Sequence, residues 1–280
     1  MLIMRCVPPE LKVISRFPIP KPGKSGEYRP ISLCNDLYCF LNGICTEKTS
    51  KGIELAKVLH DMITSYRKGK GCTNLVSLEQ AFREDCIESK LPASQVDEDE
   101  EKFFDRISTE MILAAMRVCG FPQQGFLEFK ANCMDEKQVN IITNKGIANG
   151  SFSCGLEQGN PDSPTIANLV ILFKHKIWSR IHKVSIDAKR NIKTCLENAY
   201  KFFTKDKKDM EVILRMMGYC DDNSKFCANK DEKKLISTTY DYIQQTGDLS
   251  IVTKIGRKGS KCETHFFQYQ CRNGTQSQGM

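Results

Sequence analysis

The chain has 280 residues, with 41 Lys and Arg against 34 Asp and Glu, a net charge of +7; 40% of it is hydrophobic and 9% aromatic. That apolar content excludes an intrinsically disordered chain. The longest uncharged apolar run, Ile166 to Phe173 with Asn168 inside it, falls far short of the roughly 20 residues a membrane-spanning helix needs. Arg5, Pro8 and Pro9 interrupt any signal-peptide core, so the expectation is a soluble intracellular protein with no membrane partner.

In chain order, Pro8, Pro9, Pro18, Pro20 and Pro22 forbid a helix at the start, and Val13 to Ile19 reads as a strand ending in a turn at Pro22-Gly23. Residues 50 to 88 read as helical in two pieces, broken at Lys68-Gly69-Lys70-Gly71. A further helix begins at Ser108, an N-cap residue followed by Glu110 in the first turn, and stops at Gly120 and Pro122. Residues 138 to 156 alternate and carry Gly146, Gly150 and Gly155, the pattern of a hairpin. A helix is predicted from Ser163 through Trp178, then a charge-rich insertion over 183 to 210. A strand follows over Glu211 to Met217, with its return at Phe226 to Ala228, and a helix over Glu232 to Gln245. Strands and helices alternate without βαβ regularity, so the fold class is α+β.

The 14 cysteines include no Cys-x-x-Cys pair, and His60, His175, His182 and His265 lie outside zinc-ligand spacing. They read as reduced, mostly buried thiols that pack as small hydrophobes. Basic residues cluster at Lys12 to Arg29, Arg67 to Lys70, Lys201 to Lys208 and Arg257 to Lys261, a distribution that a polyphosphate partner favours.

Two acidic sites carry the chemistry. The first is the run Asp97-Glu98-Asp99-Glu100-Glu101. In the second, the apolar stretch Val212 to Met217 delivers Asp221 and Asp222 at a reversal. Like charges this close repel unless a cation compensates them, and carboxylates from separate segments suit Mg²⁺, which completes its octahedron with water and substrate phosphates. A solvated charge run is the competing reading of residues 97 to 101.

The order of segments resembles the fingers and palm of a reverse transcriptase, of the non-LTR retrotransposon and group II intron type. The segments are Ile19-Pro20-Lys21-Pro22-Gly23-Lys24, Tyr28-Arg29-Pro30-Ile31-Ser32-Leu33, Gly71-Cys72-Thr73-Asn74, Asp99 to Asp105, Gly155 to Pro164, Tyr219-Cys220-Asp221-Asp222, and Gly247 to Lys261. The resemblance spans residues 17 to 267. It implies a palm, an antiparallel sheet backed by helices, with N-terminal fingers and a thumb absent or truncated. The implied division is 1–90 fingers, 91–120 palm with the first catalytic aspartate, 121–160 a hairpin region between fingers and palm, 161–270 palm with the insertion, and 271–280 a flexible tail.

It also implies RNA-directed DNA polymerase activity, the addition of dNTPs to a DNA primer on an RNA template. Asp99, Asp221 and Asp222 are then metal ligands for two Mg²⁺ ions (Mn²⁺ being possible), with Asp97 the competing choice for the first and Asp222 the weaker member. Arg29 holds the incoming triphosphate, with Lys21 and Lys24 as lesser candidates. Phe104 is an aromatic gate against the 2′-hydroxyl. Gln158 touches the nucleotide or templating base, and Gly159 lets the backbone pass close to it. Lys261 protonates the leaving pyrophosphate, with Lys254 as runner-up. Two departures are Cys220 where Ala is frequent and Asp162 where an apolar residue is usual. The alternative is a catalytically inactive, reverse-transcriptase-like fragment that binds nucleic acid.

Overall fold

The early prolines sit where a strand tolerates them. In the computed structural model, which describes residues 7–88, 93–99, 102–152, 154–182, 216–219, 222–227 and 263–267, β1 (Val13–Pro20) and β2 (Tyr28–Cys34) form an antiparallel hairpin. On its other side β1 runs parallel to β4 (Lys137–Thr143), but only from Val13 to Arg16. Pro18 and Pro20 lie beyond that contact, so their missing N–H groups interrupt no ladder there. β5 (Gly146–Phe152) closes a hairpin with β4, and the first sheet has the order β2-β1-β4-β5.

The second sheet is antiparallel throughout. It is built from β3 (Ala93–Asp99), β6 (Met216–Tyr219), β7 (Asp222–Cys227) and β8 (Glu263–Phe267) in the order β6-β7-β3-β8. The acidic run up to Asp99 is therefore part of β3, an inner strand of this sheet. Each cross-strand pairing supplies backbone hydrogen bonds whatever the side-chain charge, and these override the poor strand propensity of Asp and Glu. The return strand starts at Asp222 rather than Phe226. The insertion over 183 to 210, most of the strand from Glu211 and the helix expected over Glu232 to Gln245 lie outside the described residues.

Helix α1 spans Asp36–Leu55 and α2 spans Cys72–Glu88. The sequence reading placed a helix from residue 50 and missed the start. Asn35 accepts a hydrogen bond from the Leu37 amide (3.0 Å), and Asp36 adds negative charge to the first turn. Lys57, at φ 50°, ends α1 in a left-handed turn in which the Val58 amide donates to the Ile53 carbonyl at 3.0 Å. Residues 56–71 then run as an irregular segment because Arg67 organises them. Its guanidinium reaches Glu54 (2.6 and 2.7 Å) and the carbonyls of His60 (2.7 Å) and Ile63 (2.8 Å). Two members of this basic cluster are thus paired within the segment, Arg67 as above and Lys70 with Asp61.

The short α3 (Phe103–Arg106) leads into α4 (Thr109–Val118), which starts where the sequence predicted: Ser108 accepts from the Met111 amide at 3.2 Å. After a turn, α5 (Glu128–Met134) precedes β4, and α6 (Ser163–His182) runs through the centre. Met111, Ile112, Ala115 and Met116 of α4 are buried in one core with Ile166, Ala167, Leu169 and Val170 of α6. Among the described residues no helix is long and apolar enough to cross a membrane.

The cysteines are less buried than expected. Of those whose side chains are described, Cys133 alone is fully buried, Cys34, Cys39, Cys45 and Cys119 are half-buried, and Cys72 and Cys154 are exposed. Burial pushes the Cys133 thiol up to about 11 and the Cys34 thiol up to about 12, which keeps both protonated and poorly nucleophilic near neutrality.

Two bases on the buried part of α6 make stability depend on pH. Desolvation lowers Lys174 to about 7; desolvation, reinforced by His60 and Lys174, lowers His175 to about 3. Both values fall below those of the unfolded chain, where the neutral forms are not favoured in this way. The unfolded state therefore binds the extra proton, between about pH 7 and 10 for Lys174 and between about pH 3 and 6.5 for His175. Stability rises with pH through each window, by at most about 1.4 kcal/mol per pH unit and group. Denaturant melts at a series of pH values should show Lys174→Met flattening the slope between pH 7 and 9 and His175→Gln flattening it between pH 6 and 4.

Candidate active site

The second sheet sets the acidic residues in register. Asp97 pairs with Ser224 and Asp99 with Asp222, and at the end of the adjoining hairpin Tyr219 pairs with Asp222. Directly opposed positions of an antiparallel ladder share a face, with Cβ atoms about 4.5–5.5 Å apart. Asp99, at the C-terminal end of β3, and Asp222, the first residue of β7, thus occupy facing positions at one end of the sheet. Asp221 and Lys261 lie outside the described residues; Asp221 belongs to the short connection between Tyr219 and Asp222. Among the described residues no cluster of three or more ligating side chains is assembled. Two aspartate positions that face each other across a ladder are a place where hard oxygen donors, the kind a divalent cation prefers, come close in the backbone register.

Asp97 is engaged elsewhere. It accepts from Ser224 Oγ at 2.6 Å and from Gln95 Nε2 at 3.0 and 3.2 Å. Gln95 is itself buried and also reaches Glu79 (3.0 Å) and Arg83 (3.1 Å) of α2. This polar chain ties β3 to both β7 and α2 and pins the register that sets Asp99 opposite Asp222. The hairpin is braced on its far side too: the Gly218 amide donates to the Met62 carbonyl (3.1 Å), and the Thr64 amide donates to Gly218 (3.4 Å). The same segment docks on α6 through Ser65 and Asn168, which exchange hydrogen bonds of 2.6 and 2.7 Å.

Residues 154–162 form a turn that joins the first sheet to the helix after the acidic strand. The Leu156 amide donates to the Phe104 carbonyl at 2.6 Å, and the Gly155 amide to the Ile107 carbonyl at 2.7 Å. The Ser32 amide, on the outer edge of β2, donates to the Gln158 carbonyl at 2.7 Å. Phe104 and Gln158 are both half-buried, and Phe104 packs edge-to-face on buried Phe103 with centroids 5.6 Å apart. The turn therefore meets the backbone of Phe104 at Leu156 and that of β2 at Gln158 and Gly159, and Arg29 lies three residues before Ser32 on β2. The freedom required of Gly159 is met inside the protein: at φ 121°, an added Cβ would stand 2.5 Å from the Ser32 carbonyl oxygen. Gly155, at φ 87°, is equally confined, 2.8 Å from the Asp105 carbonyl oxygen.

The basic candidates separate. Lys21 and Lys24 both pair with Glu27 in the β1–β2 turn, at 2.9 and 3.6 Å, and Lys21 foremost lowers the pKa of that carboxyl. Arg29 is exposed on β2, opposite Ile19.

Arg16 was missed. Its Nε donates to Ser32 Oγ (3.3 Å), its guanidinium lies over the Phe152 ring (4.4 Å) and one amine stands 3.8 Å from Asp105. Its signal in the sequence is its strand position, two residues after buried Ile14 and hence on the same inward face. Also missed were two buried ion pairs, Lys137 with Glu157 and Lys130 with Asp162, the latter joined by Asn42 at 3.0 Å from the Lys130 ammonium. Burial works against the charge on Lys130, but the attraction and hydrogen bond of Asp162 outweigh it and hold its pKa above the ordinary lysine value. Asp162, the residue out of place in the sequence, sits just before α6, where the helix dipole also favours a carboxylate.

Gly159→Ala should lower stability by about 2 kcal/mol or more, because a strained backbone and a carbonyl clash act together. Gly52→Ala at an exposed position of helix α1, where nothing lies within 4 Å, should raise it by about 0.5–1 kcal/mol. Chemical denaturation of both variants decides whether the turn is as tight as its geometry.

The family described as reverse transcriptase (RNA-dependent DNA polymerase) matches residues 19–247. No curated protein sequence matches the chain. Solved structures with the same fold include telomerase from Candida tropicalis truncated from its C-terminal domain, at 10% identity and TM-score 0.56, covering 94% of this chain and 51% of that one. The telomerase of Candida albicans in complex with a TWJ fragment of telomeric RNA aligns at 8% identity and TM-score 0.52, covering 96% of this chain and 44% of that one. The chain thus spans about half the length of the solved chains it resembles. With the family matched over most of its residues and the α+β fold shared with telomerase, this chain belongs to the reverse transcriptase family.

Proposed function

We propose that this chain is the fingers and palm of an RNA-directed DNA polymerase, the first sheet belonging to the fingers and the second to the palm. The observation that carries the reading is the ladder register that sets Asp99 opposite Asp222, next to Asp221. Asp99 and Asp221, with Asp222 as the lesser member, hold two Mg²⁺ ions. Asp99 is favoured over Asp97 as first ligand because the Asp97 carboxylate is already hydrogen-bonded within the sheet. When bound, such ions neutralise phosphate charge and raise the nucleophilicity of a primer hydroxyl.

The remaining work is positioning and charge neutralisation, which is what phosphoryl transfer asks of a protein. Arg29 offers a planar fork to triphosphate oxygens, and Lys21 and Lys24 add positive charge to the same hairpin. Gln158 and Gly159 present the turn to the nucleotide, Phe104 closes the site against a 2′-hydroxyl, and Lys261 supplies a proton to the departing pyrophosphate. An RNA template suits the basic surface, and telomerases with this fold are solved in complex with telomeric RNA. The motif order favours the non-LTR retrotransposon and group II intron type.

Primer extension on an RNA template with Mg²⁺ and dNTPs tests the reading. The parent should extend the primer, and Asp99→Asn and Asp221→Ala should each abolish extension while still binding the template–primer duplex. Duplex binding without extension by the parent would instead support the non-catalytic binding fragment. In the same assay Phe104→Ala should admit ribonucleotides that the parent rejects; equal use of both sugars by the parent would remove Phe104 as the gate.

A further inference from the structure

The turn that carries Gln158 is flanked by a buried acid. Glu157 is 2% exposed and forms an ion pair with Lys137 of β4, which is 3% exposed. The other carboxylate oxygen of Glu157 accepts from Asn160 Nδ2 at 3.1 Å, and the Asn160 amide donates to the Glu157 carbonyl at 3.2 Å. Residues 157 to 160 are thereby closed into a ring of hydrogen bonds with Gln158 and Gly159 at its tip. Lys137 is itself held, its ammonium 5.6 Å from the centre of the Phe152 ring, whose other neighbour is the Arg16 guanidinium. Arg16 in turn bonds Ser32, whose amide holds the Gln158 carbonyl.

A buried ion pair is weak evidence for stability, since apolar residues of similar volume replace such pairs at little cost. What it supplies is a fixed direction: a charge-assisted hydrogen bond tolerates little displacement in a dry site. The geometry points to Lys137 and Glu157, with Asn160, as a positioning device that fixes the Gln158–Gly159 turn against β2 and thereby sets affinity for the incoming nucleotide. This rests on the polymerase reading for its consequence, and on the contacts alone for its mechanical part. Neither residue touches the nucleotide; both act through Gln158.

The test is the double variant Lys137→Met, Glu157→Gln, which removes both charges, keeps a partner for Asn160 and strands no buried ion. Amide hydrogen exchange reads the mechanical part. Protection of the Ser32 and Asn160 amides should fall about tenfold or more, while amides in α4 and α6 keep theirs. Unchanged protection at Ser32 and Asn160 overturns the inference whether or not the protein polymerises. Steady-state primer extension reads the consequence: KM for the dNTP should rise about tenfold with kcat within about twofold. A loosened turn with an unchanged KM overturns the link to nucleotide affinity. A parent that extends no primer sinks the polymerase reading, and the exchange data still decide whether the pair holds the turn.

Discussion

The register between β3 and β7 is the constraint on which the rest of the molecule depends. Side chains alternate along a strand, so a slip of one residue would move Asp99 to the opposite face from Asp222 and separate the acidic positions. Apolar alternation cannot set this register, because the strand reads Ala-Ser-Gln-Val-Asp-Glu-Asp. Polar contacts set it instead: Ser224 on Asp97, and buried Gln95 joined to Asp97, Glu79 and Arg83. Asp97 thus has a defined task, to place its neighbour two residues on.

The same logic recurs around the turn at residues 154 to 162. Backbone amides of Gly155 and Leu156 donate to the carbonyls of Ile107 and Phe104, and the Gln158 carbonyl accepts from the Ser32 amide of β2. The sheet that carries Arg29 and the helix that carries Phe104 are therefore linked through a few peptide groups at close approach. Glycines at positions 155 and 159 are needed because of these approaches to the chain's own backbone. A ligand's passage is not required to explain them, although it is compatible with them.

Buried bases differ by whether attraction to a carboxylate or loss of hydration prevails. Where buried Lys130 meets Asp162, attraction and a hydrogen bond outweigh the loss of hydration and hold the lysine's pKa above its ordinary value. In α6, desolvation dominates at Lys174 and His175, and the neutral form of His175 prevails at ordinary pH. Lys130 and Lys137 belong to consecutive elements, α5 and β4 respectively, and both reach acids that flank the same turn. A basic residue counted in the net charge is therefore no measure of surface charge; Arg67 and these two lysines are spent inside.

Local chemistry was legible in the sequence wherever it is local. Ser108 and Gly120 bounded α4, the glycines marked the β4–β5 hairpin, and the ordered motifs identified the family, since caps, turns and short motifs act within a few residues. The start of α1 lay in a single Asn-Asp pair and was missed, and Arg67 unwound a segment whose pattern alone reads as helix. Only the tertiary structure decided that an acidic run becomes an inner strand, that Asp97 is a brace beside Asp99, and that Glu157 and Asp162 are matched by lysines more than 15 residues away in the chain. Those outcomes come from pairings across the fold, whose energies depend on distance and burial that no linear spacing encodes.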